Sequence, residues 1–238
     1  MVGAGHLCDR GGMSTVTLIG GHGKVALLAA PLLVEAGHQV RSVIRKPEQA
    51  DDVTATGATP VVADVEQLDV AALADLVAGS DVVVWSAGAG GGSQARTWAV
   101  DRDAAIRTMD AAQQAGVRRF VMVSFFGSHL EEGEYPGVDP EEPMYAYFNA
   151  KGQADEHLRD STLDWTVLGP STLTLDEPTQ RITVSPDGVT RADQVPSTSR
   201  ANVAAVIAAV VDEPATSRRT LNFHDGDVPI AEAITPGR

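Results

Sequence analysis

The chain has 238 residues, enough for one well-buried domain but not for two large independent ones. Its 18 basic and 32 acidic residues give a net charge of −14, which repels phosphate backbones and anionic lipid headgroups. Composition therefore argues against a protein that binds nucleic acid or a membrane surface, and it leaves a small molecule as the expected ligand.

The sequence carries no signal for export, membrane insertion or structural metal binding. Cys8 is the single cysteine, so no internal disulfide is possible, and no Cys/His cluster has zinc-site spacing. Residues 1–12 lack the apolar segment of a signal peptide, and we expect them to form a disordered leader. No apolar run reaches the roughly 18 residues of a membrane span. We therefore expect a soluble, cytoplasmic protein with one domain over residues 13–238.

Short apolar runs alternate with helical patterns along most of the chain. Strands are predicted near 15–20, 39–45, 60–63, 81–86, 117–124 and 164–168, and helices near 23–36, 69–78, 96–115 and 144–159. The run from Val82 to Trp85 is apolar at successive positions, which is typical of a parallel strand buried on both faces. This order predicts a Rossmann-type α/β fold, a doubly wound parallel sheet with its ligands beyond the carboxyl ends of the strands.

The first predicted strand runs directly into Gly20-Gly21-His22-Gly23-Lys24-Val25, where a helix should begin. Glycines permit a tight turn and a close approach of the backbone to a pyrophosphate, whose charge the first amides of the helix attract. The pattern favours a dinucleotide site over a purely structural turn. Its spacing, Gly20-x-x-Gly23-x-x-Ala26, has alanine at the third position of the usual three-glycine motif.

The second predicted strand ends in Arg45-Lys46, followed by Pro47. Enzymes that prefer NAD usually place a carboxylate here for the ribose 2′-hydroxyl, whereas basic side chains attract a 2′-phosphate. The pair therefore favours NADP over NAD. The alternative is a solvated turn before the proline.

A phenol and an ammonium lie four residues apart in Tyr147-Phe148-Asn149-Ala150-Lys151, on one face of a predicted helix. Because a phenol exchanges protons poorly at neutral pH, a nearby ammonium that lowers its pKa would make it a catalyst. Ser124 ends the preceding strand and could bind the substrate oxygen. The alternative is a packed Tyr147 and a solvated Lys151. For Asp101, the residues alone favour a solvated carboxylate.

The pattern weakens after Pro170, although a helix from Ser199 to Val211, a strand over 220–223 and a short helix over 230–234 are predicted. We expect residues 170–238 to contribute a small substrate-side lobe. The acidic loop from Glu131 to Pro143 has the composition of a mobile lid.

Taken together, these residues resemble the short-chain dehydrogenase/reductase superfamily, and more closely its atypical, NAD(P)-binding, epimerase-like branch. The resemblance covers residues 16 to about 235. It is carried by the following segments: the glycine loop, Arg45-Lys46-Pro47, Ala63-Asp64-Val65, Val100-Asp101, residues 111–124, Tyr147 to Lys151 and residues 161–170.

The resemblance implies a role for each of these segments. Asp64 and Val65 would border the adenine, Ser86-Ala87-Gly88 a ribose, Pro170 the nicotinamide and Lys151 the nicotinamide ribose. Asp101 would take the place of the superfamily's tetrad asparagine, beside Ser124, Tyr147 and Lys151. Gly169 departs from the pattern, because relatives commonly carry arginine before the proline, and His22 replaces a small loop residue.

The resulting hypothesis is an NADP-dependent oxidoreductase for a small carbonyl or hydroxyl compound. Epimerase or dehydratase chemistry through a transient ketone would use the same groups. Two alternatives stay open: a non-catalytic NADP-binding redox sensor that acts through a protein partner, and a scaffold that binds no nucleotide.

Overall fold

The computed structural model describes residues 12–90, 93–185 and 192–235. The predicted leader, apart from Gly12, lies outside the described residues. The strands are β1 (Thr15–Ile19), β2 (Gln39–Ile44), β3 (Thr59–Val62), β4 (Val82–Trp85), β5 (Arg119–Val123), β6 (Asp164–Pro170), β7 (Leu173–Thr174), β8 (Arg181–Ser185), β9 (Thr198–Ser199), β10 (Arg219–Asp225) and β11 (Val228–Pro229). The helices are α1 (Lys24–Glu35), α2 (Ala50–Ala55), α3 (Val70–Val77), α4 (Gln94–Thr97), α5 (Ala105–Gln114), α6 (Tyr145–Asp160), α7 (Arg200–Val211) and α8 (Ile230–Ala233).

Within the described residues, nine strands form one sheet in the order β11-β8-β10-β6-β5-β4-β1-β2-β3. The pairings from β10 through β6, β5, β4, β1 and β2 to β3 are all parallel, and β8 is antiparallel to both β10 and β11. The predicted doubly wound parallel sheet is therefore confirmed, with an antiparallel addition at one edge.

Successive residues of the central strands enter two different cores. In β4, Val82 and Val84 pack with α1 and α7, whereas Val83 and Trp85 pack with α3, α5 and α6 on the opposite face. The four side chains are 0–4% exposed, and each contributes roughly 1.5–3 kcal/mol through its burial. Burial on both faces explains why the strand is apolar at every position.

The sheet reverses its winding at β1, which lies between β2 and β4. A doubly wound sheet binds its ligand at this switch point, beyond the carboxyl ends of the strands. The loops after β1 and β4 touch there: a Cβ on Gly20 would lie 2.7 Å from the Ala87 Cα, and Gly20 itself has a φ of +83°. Glycine is therefore required at this turn for both conformation and space.

Residues after Pro170 divide between the main sheet and a smaller unit. β8, β10 and β11 extend the nine-stranded sheet, α7 packs in the core with α1, and β7 pairs with β9 in a separate two-stranded ladder. The sequence pattern missed α2 and β8, both short and without a strong apolar run. Among the described residues, no helix has the length and apolar character needed to cross a bilayer.

Candidate active site

A cavity of about 880 Å³ opens at the carboxyl ends of the parallel strands. Its walls include these residues selected from the sequence: Gly20, His22, Gly23, Lys24, Val25, Arg45, Asp64, Val65, Ser86, Ala87, Gly88, Asp101, Ser124, Tyr147 and Lys151. Gly21, Lys46 and Pro170 are not among the lining residues. Residues distant in sequence thus meet where the sheet topology places a ligand.

The glycine loop and the first turn of α1 fit a pyrophosphate. Lys24 and Val25 line the cavity, and the N-cap residue Gly23 has no side chain to cap the helix, so the first amides of α1 are available to an anion. Gly23 directs its own N–H to the Gly20 carbonyl at 2.8 Å. Gly21 instead packs against β2, where its N–H donates to the Val43 carbonyl at 2.8 Å and a Cβ would meet that of Ser42.

His22 ties the loop to the turn after β2. Its Nε2 lies 2.8 Å from an oxygen of Asp52, which requires Nε2 to donate, so Nδ1 can accept from the Gln49 amide at 3.2 Å. Gln49 in turn accepts the Lys46 N–H. His22, which replaces the usual small residue, therefore connects the glycine loop to the turn after β2, the two segments expected to contact the cofactor.

Arg45 and Lys46 have different environments. Both are exposed at the end of β2, but Arg45 lines the cavity whereas the Lys46 ammonium lies 4.0 Å from Glu48. Beyond β4, Arg96 pairs with Glu66 at 3.3 Å and donates to the Ala89 carbonyl. Of Arg45 and Lys46, Arg45 is therefore the better placed to reach a bound phosphate.

Asp101 lies in a π-helical stretch, Trp98–Ala104, that joins α4 to α5. Its side chain is 2% exposed: one oxygen accepts the Ala89 N–H at 2.9 Å and the other lies 3.6 Å from the Lys151 ammonium. π-Helical turns occur frequently at functional sites because they redirect side chains. The structure thus overturns the solvated reading of Asp101, which connects the loop after β4 to α6.

Lys151 is buried within α6, where its ammonium also donates to the Val123 carbonyl at 3.1 Å. Burial by itself would lower the pKa of Lys151, but the charges of Asp101, Tyr147 and Asp155 together raise it above its ordinary value. The buried ammonium therefore stays charged because a carboxylate accompanies it.

Tyr147 faces the same cavity, with Lys151 Nζ 5.9 Å from its ring centroid and Phe125 packed 5.7 Å away. Burial raises the pKa of the Tyr147 phenol; Lys151 acts in the opposite direction but is outweighed, and Asp101 and Asp155 add to the rise. The sequence-based expectation of a lowered phenol pKa is wrong, because the effect of burial exceeds that of the ammonium.

Ser124 follows β5, and its side chain forms a hydrogen bond with a residue that the sequence analysis did not select. Its hydroxyl donates to Asp155 of α6, and the Ser128 hydroxyl donates to the same oxygen at 2.5 Å. Burial raises the pKa of Asp155, and Arg159, the two hydroxyls and Lys151 oppose this rise without cancelling it. Asp155 occurs four residues after Lys151, so helical spacing could have revealed it.

The end of β6 is buried, and the place beside the nicotinamide expected for Pro170 stays a prediction. Pro170 is buried, and a Cβ on Gly169 would lie 2.3 Å from the Asn222 amide oxygen on β10. Arg200, at the start of α7, lines the cavity and donates to the Leu173 and Thr174 carbonyls. The sequence analysis did not select Arg200, because it lies far along the chain from the other site residues.

Fold and cavity together define a dinucleotide-binding protein of the Rossmann type. The protein family described as NAD(P)H-binding matches residues 20–214, and the chain belongs to that family. The superfamily resemblance is thereby confirmed at the level of an NAD(P)-binding, oxidoreductase- and epimerase-like protein.

Similar proteins support this assignment over nearly the whole chain. The uncharacterised sugar epimerase YhfK of Bacillus subtilis is 33% identical over 223 residues, which cover 92% of this chain and 98% of YhfK. A solved structure from Bacillus halodurans, named as a candidate NAD-dependent epimerase/dehydratase, has 33% identity, a TM-score of 0.80 and coverage of 93% of this chain and 98% of its own. The oxidoreductase ylbE of Lactococcus lactis has 26% identity, a TM-score of 0.77 and coverage of 92% and 94%.

Proposed function

We propose that the protein is an NADP-dependent oxidoreductase that acts on a small carbonyl or hydroxyl compound. The observation that carries the proposal is that Ser124, Tyr147 and Lys151 line the same cavity as the glycine loop. Membership of an NAD(P)H-binding family supports a nicotinamide cofactor, which would supply or accept a hydride when bound.

The side chains divide the proton chemistry among them. In carbonyl reduction, Tyr147 would give its phenolic proton to the substrate oxygen as the carbonyl carbon gains the hydride, so that an alcohol and the oxidised cofactor result. The Tyr147 phenol is protonated at neutral pH and so carries the proton to be donated, while its raised pKa makes it a weaker acid in the ligand-free protein than an exposed tyrosine. Ser124 would orient the oxygen, and Lys151, held by Asp101, would bind the nicotinamide ribose.

Preference for NADP rests on Arg45. In the described part of the chain Arg45 has no carboxylate within ion-pair distance, and it lines the cavity at the end of β2. Replacing Arg45 with Gln should weaken NADPH binding by roughly 10- to 100-fold, because a charge-assisted hydrogen bond to phosphate is lost, and should leave NADH binding nearly unchanged. Equal losses for both nucleotides would contradict this assignment.

The names of the relatives favour a second chemistry. YhfK and the Bacillus halodurans protein are both named as epimerases, and epimerisation or dehydration through a transient ketone would use the same Tyr147, Ser124 and Lys151. We propose that residues 170–238 form the substrate side, because Leu173 of β7 and Arg200 at the start of α7 line the cavity. We also propose a cytoplasmic location, in keeping with a single cysteine.

A tyrosine pair on α6 provides the test. Tyr147→Phe should abolish NADPH-dependent turnover of a panel of aldehydes, ketones and quinones while leaving NADPH affinity nearly unchanged. Tyr145→Phe is the matched control, because the Tyr145 hydroxyl is bonded to Glu134 and Tyr145 does not line the cavity. Unchanged turnover in Tyr147→Phe would remove the residue from the mechanism. Tight NADPH binding without turnover of any compound would instead indicate a redox sensor.

A further inference from the structure

Asp155 is a buried carboxyl group that the proposed reaction leaves without a role. It is 1% exposed, and its Oδ2 receives hydrogen bonds from Ser124 and Ser128. Its other oxygen, Oδ1, is buried and has no hydrogen-bond partner within the described residues. A buried acceptor without a donor raises the free energy of the ionised carboxylate, so the surroundings of Asp155 shift its equilibrium toward the protonated form.

The backbone and side-chain oxygen of Ser124 are held in place, whereas its hydroxyl proton can point in more than one direction. Its backbone N–H donates to the Leu168 carbonyl at 2.8 Å, its side chain is nearly buried, and it lines the cavity. An ionised carboxylate can only accept, so the Ser124 O–H must then point at Asp155. The serine oxygen in that state offers only lone pairs to the cavity, and it cannot donate to a carbonyl oxygen there.

A proton on Asp155 reverses this geometry. The protonated carboxyl can donate to the Ser124 oxygen, which frees the serine proton to point into the cavity. We propose that Asp155 is a positioning residue that sets the direction of the Ser124 hydroxyl: the ionised carboxylate retains the serine proton, and the neutral carboxyl releases it toward a substrate oxygen. The catalytic consequence rests on the proposed function, whereas the hydrogen-bond switch does not.

The groups around Asp155 define what controls the switch. Arg159 and Lys151 face it from α6, and Asp101 reaches Lys151 from the π-helical stretch. The segment after β5 contributes the Ser124 and Ser128 hydroxyls. Burial raises the pKa of Asp155, which favours the protonated carboxyl, and Tyr147 of α6 also interacts with its charge. Ser128 donates to the ionised form, so its removal should favour protonation.

The first experiment uses the ligand-free protein. Carbon-13 labelling of aspartate carboxyl groups, with Asp155→Asn to assign the signal, gives the titration midpoint of Asp155 by NMR. In Ser124→Ala and in Ser128→Ala the midpoint should rise by about one pH unit, since each substitution removes a donor to the carboxylate. A midpoint that moves in neither variant would overturn the proposal.

The second experiment measures kcat/KM for reduction of 9,10-phenanthrenequinone by NADPH as a function of pH. The wild-type rate should rise as pH falls through the Asp155 midpoint, and in Ser128→Ala this step should occur at a higher pH. Asp155→Asn should lose the step, because the uncharged amide can donate to Ser124 at every pH. Turnover with the same step in Asp155→Asn would overturn the catalytic role. Shifted NMR midpoints together with no turnover of any aldehyde, ketone or quinone of the panel would support the switch and refute the proposed enzymatic function.

Discussion

Asp101→Asn should destabilise the fold strongly, because it breaks a buried ion pair while preserving shape. At the observed 3.6 Å and an effective dielectric of about 20, Asp101 and Lys151 attract each other by about 5 kcal/mol. Breaking a buried pair leaves an uncompensated charge and costs about 3–5 kcal/mol. We expect a loss of this size in the free energy of unfolding, measured by urea denaturation at about pH 7.

The difference in the free energy of unfolding between the wild type and Asp101→Asn should become smaller at alkaline pH. Lys151 has a raised pKa in the native protein, so its contribution is fully present below the pKa of an unfolded lysine, about 10.4, and is lost as pH rises through the folded value. Without Asp101 the folded pKa of Lys151 falls, so the variant releases this proton at a lower pH and is no longer penalised for a buried ammonium as pH approaches about 10.4; the wild type loses its own contribution only above that pH.

Asp103→Asn is the matched control from the same helical stretch. Asp103 pairs with Arg102 at 2.6 Å, but both side chains are more than a third exposed, so its loss should cost no more than about 1 kcal/mol. A loss below about 1 kcal/mol for Asp101→Asn, or a loss independent of pH, would refute the argument that this pair is a buried, mutually dependent unit.

Three further substitutions test local packing. Arg119→Met should lower the free energy of unfolding by about 2–4 kcal/mol, because the guanidinium donates to the Asp164 and Val210 carbonyls and to Thr216, and burial lowers its pKa to about 10. Arg118 is exposed, so Arg118→Met should cost at most about 1 kcal/mol. Equal losses in denaturation experiments would contradict this prediction. Gly169→Ala should lose about 1–3 kcal/mol through contact with the Asn222 side chain and the Phe125 carbonyl. A double-mutant cycle with Asn222→Ala should recover the part that Asn222 causes, and strict additivity would count against that contact. Gly20→Ala should lower the melting temperature more than Gly79→Ala does, since both have positive φ but only Gly20 faces Ala87; equal shifts would leave the close approach without effect.

The sheet was predictable wherever local composition already specified burial. The run Val82 to Trp85 is apolar at every position, and it forms a central strand with one pair of side chains in each core. The antiparallel edge strand β8 was missed, because one of its five residues is buried and its sequence, Arg181–Ser185, has no apolar run. Its strand state comes from pairing with β10 and β11, contacts that no local window contains.

The site was predictable as a set of residues but not as a network. Strand ends and helical spacing identified Ser124, Tyr147 and Lys151, which do line one cavity. Asp155 is one of 32 acidic residues, and its spacing of four residues from Lys151 is a weak signal beside its burial, which the structure alone shows. The direction of the Tyr147 pKa likewise depends on desolvation and on two carboxylates from outside the Tyr147–Lys151 motif, so the motif alone predicted the wrong sign.

A single carboxylate therefore links stability to acidity in this site. Asp101 keeps Lys151 charged in the interior, and the same negative charge raises the pKa of the Tyr147 phenol. Removing Asp101 would take away one of the two carboxylates that raise the phenol pKa, so the pKa of Tyr147 should fall toward the value set by burial, Asp155 and Lys151 while the fold loses stability. The phenol is protonated at neutral pH even without Asp101, because its ordinary pKa is about 10 and burial raises it, whereas the buried ammonium of Lys151 needs the carboxylate in order to stay charged. The π-helical stretch that turns Asp101 inward is the backbone feature that provides it.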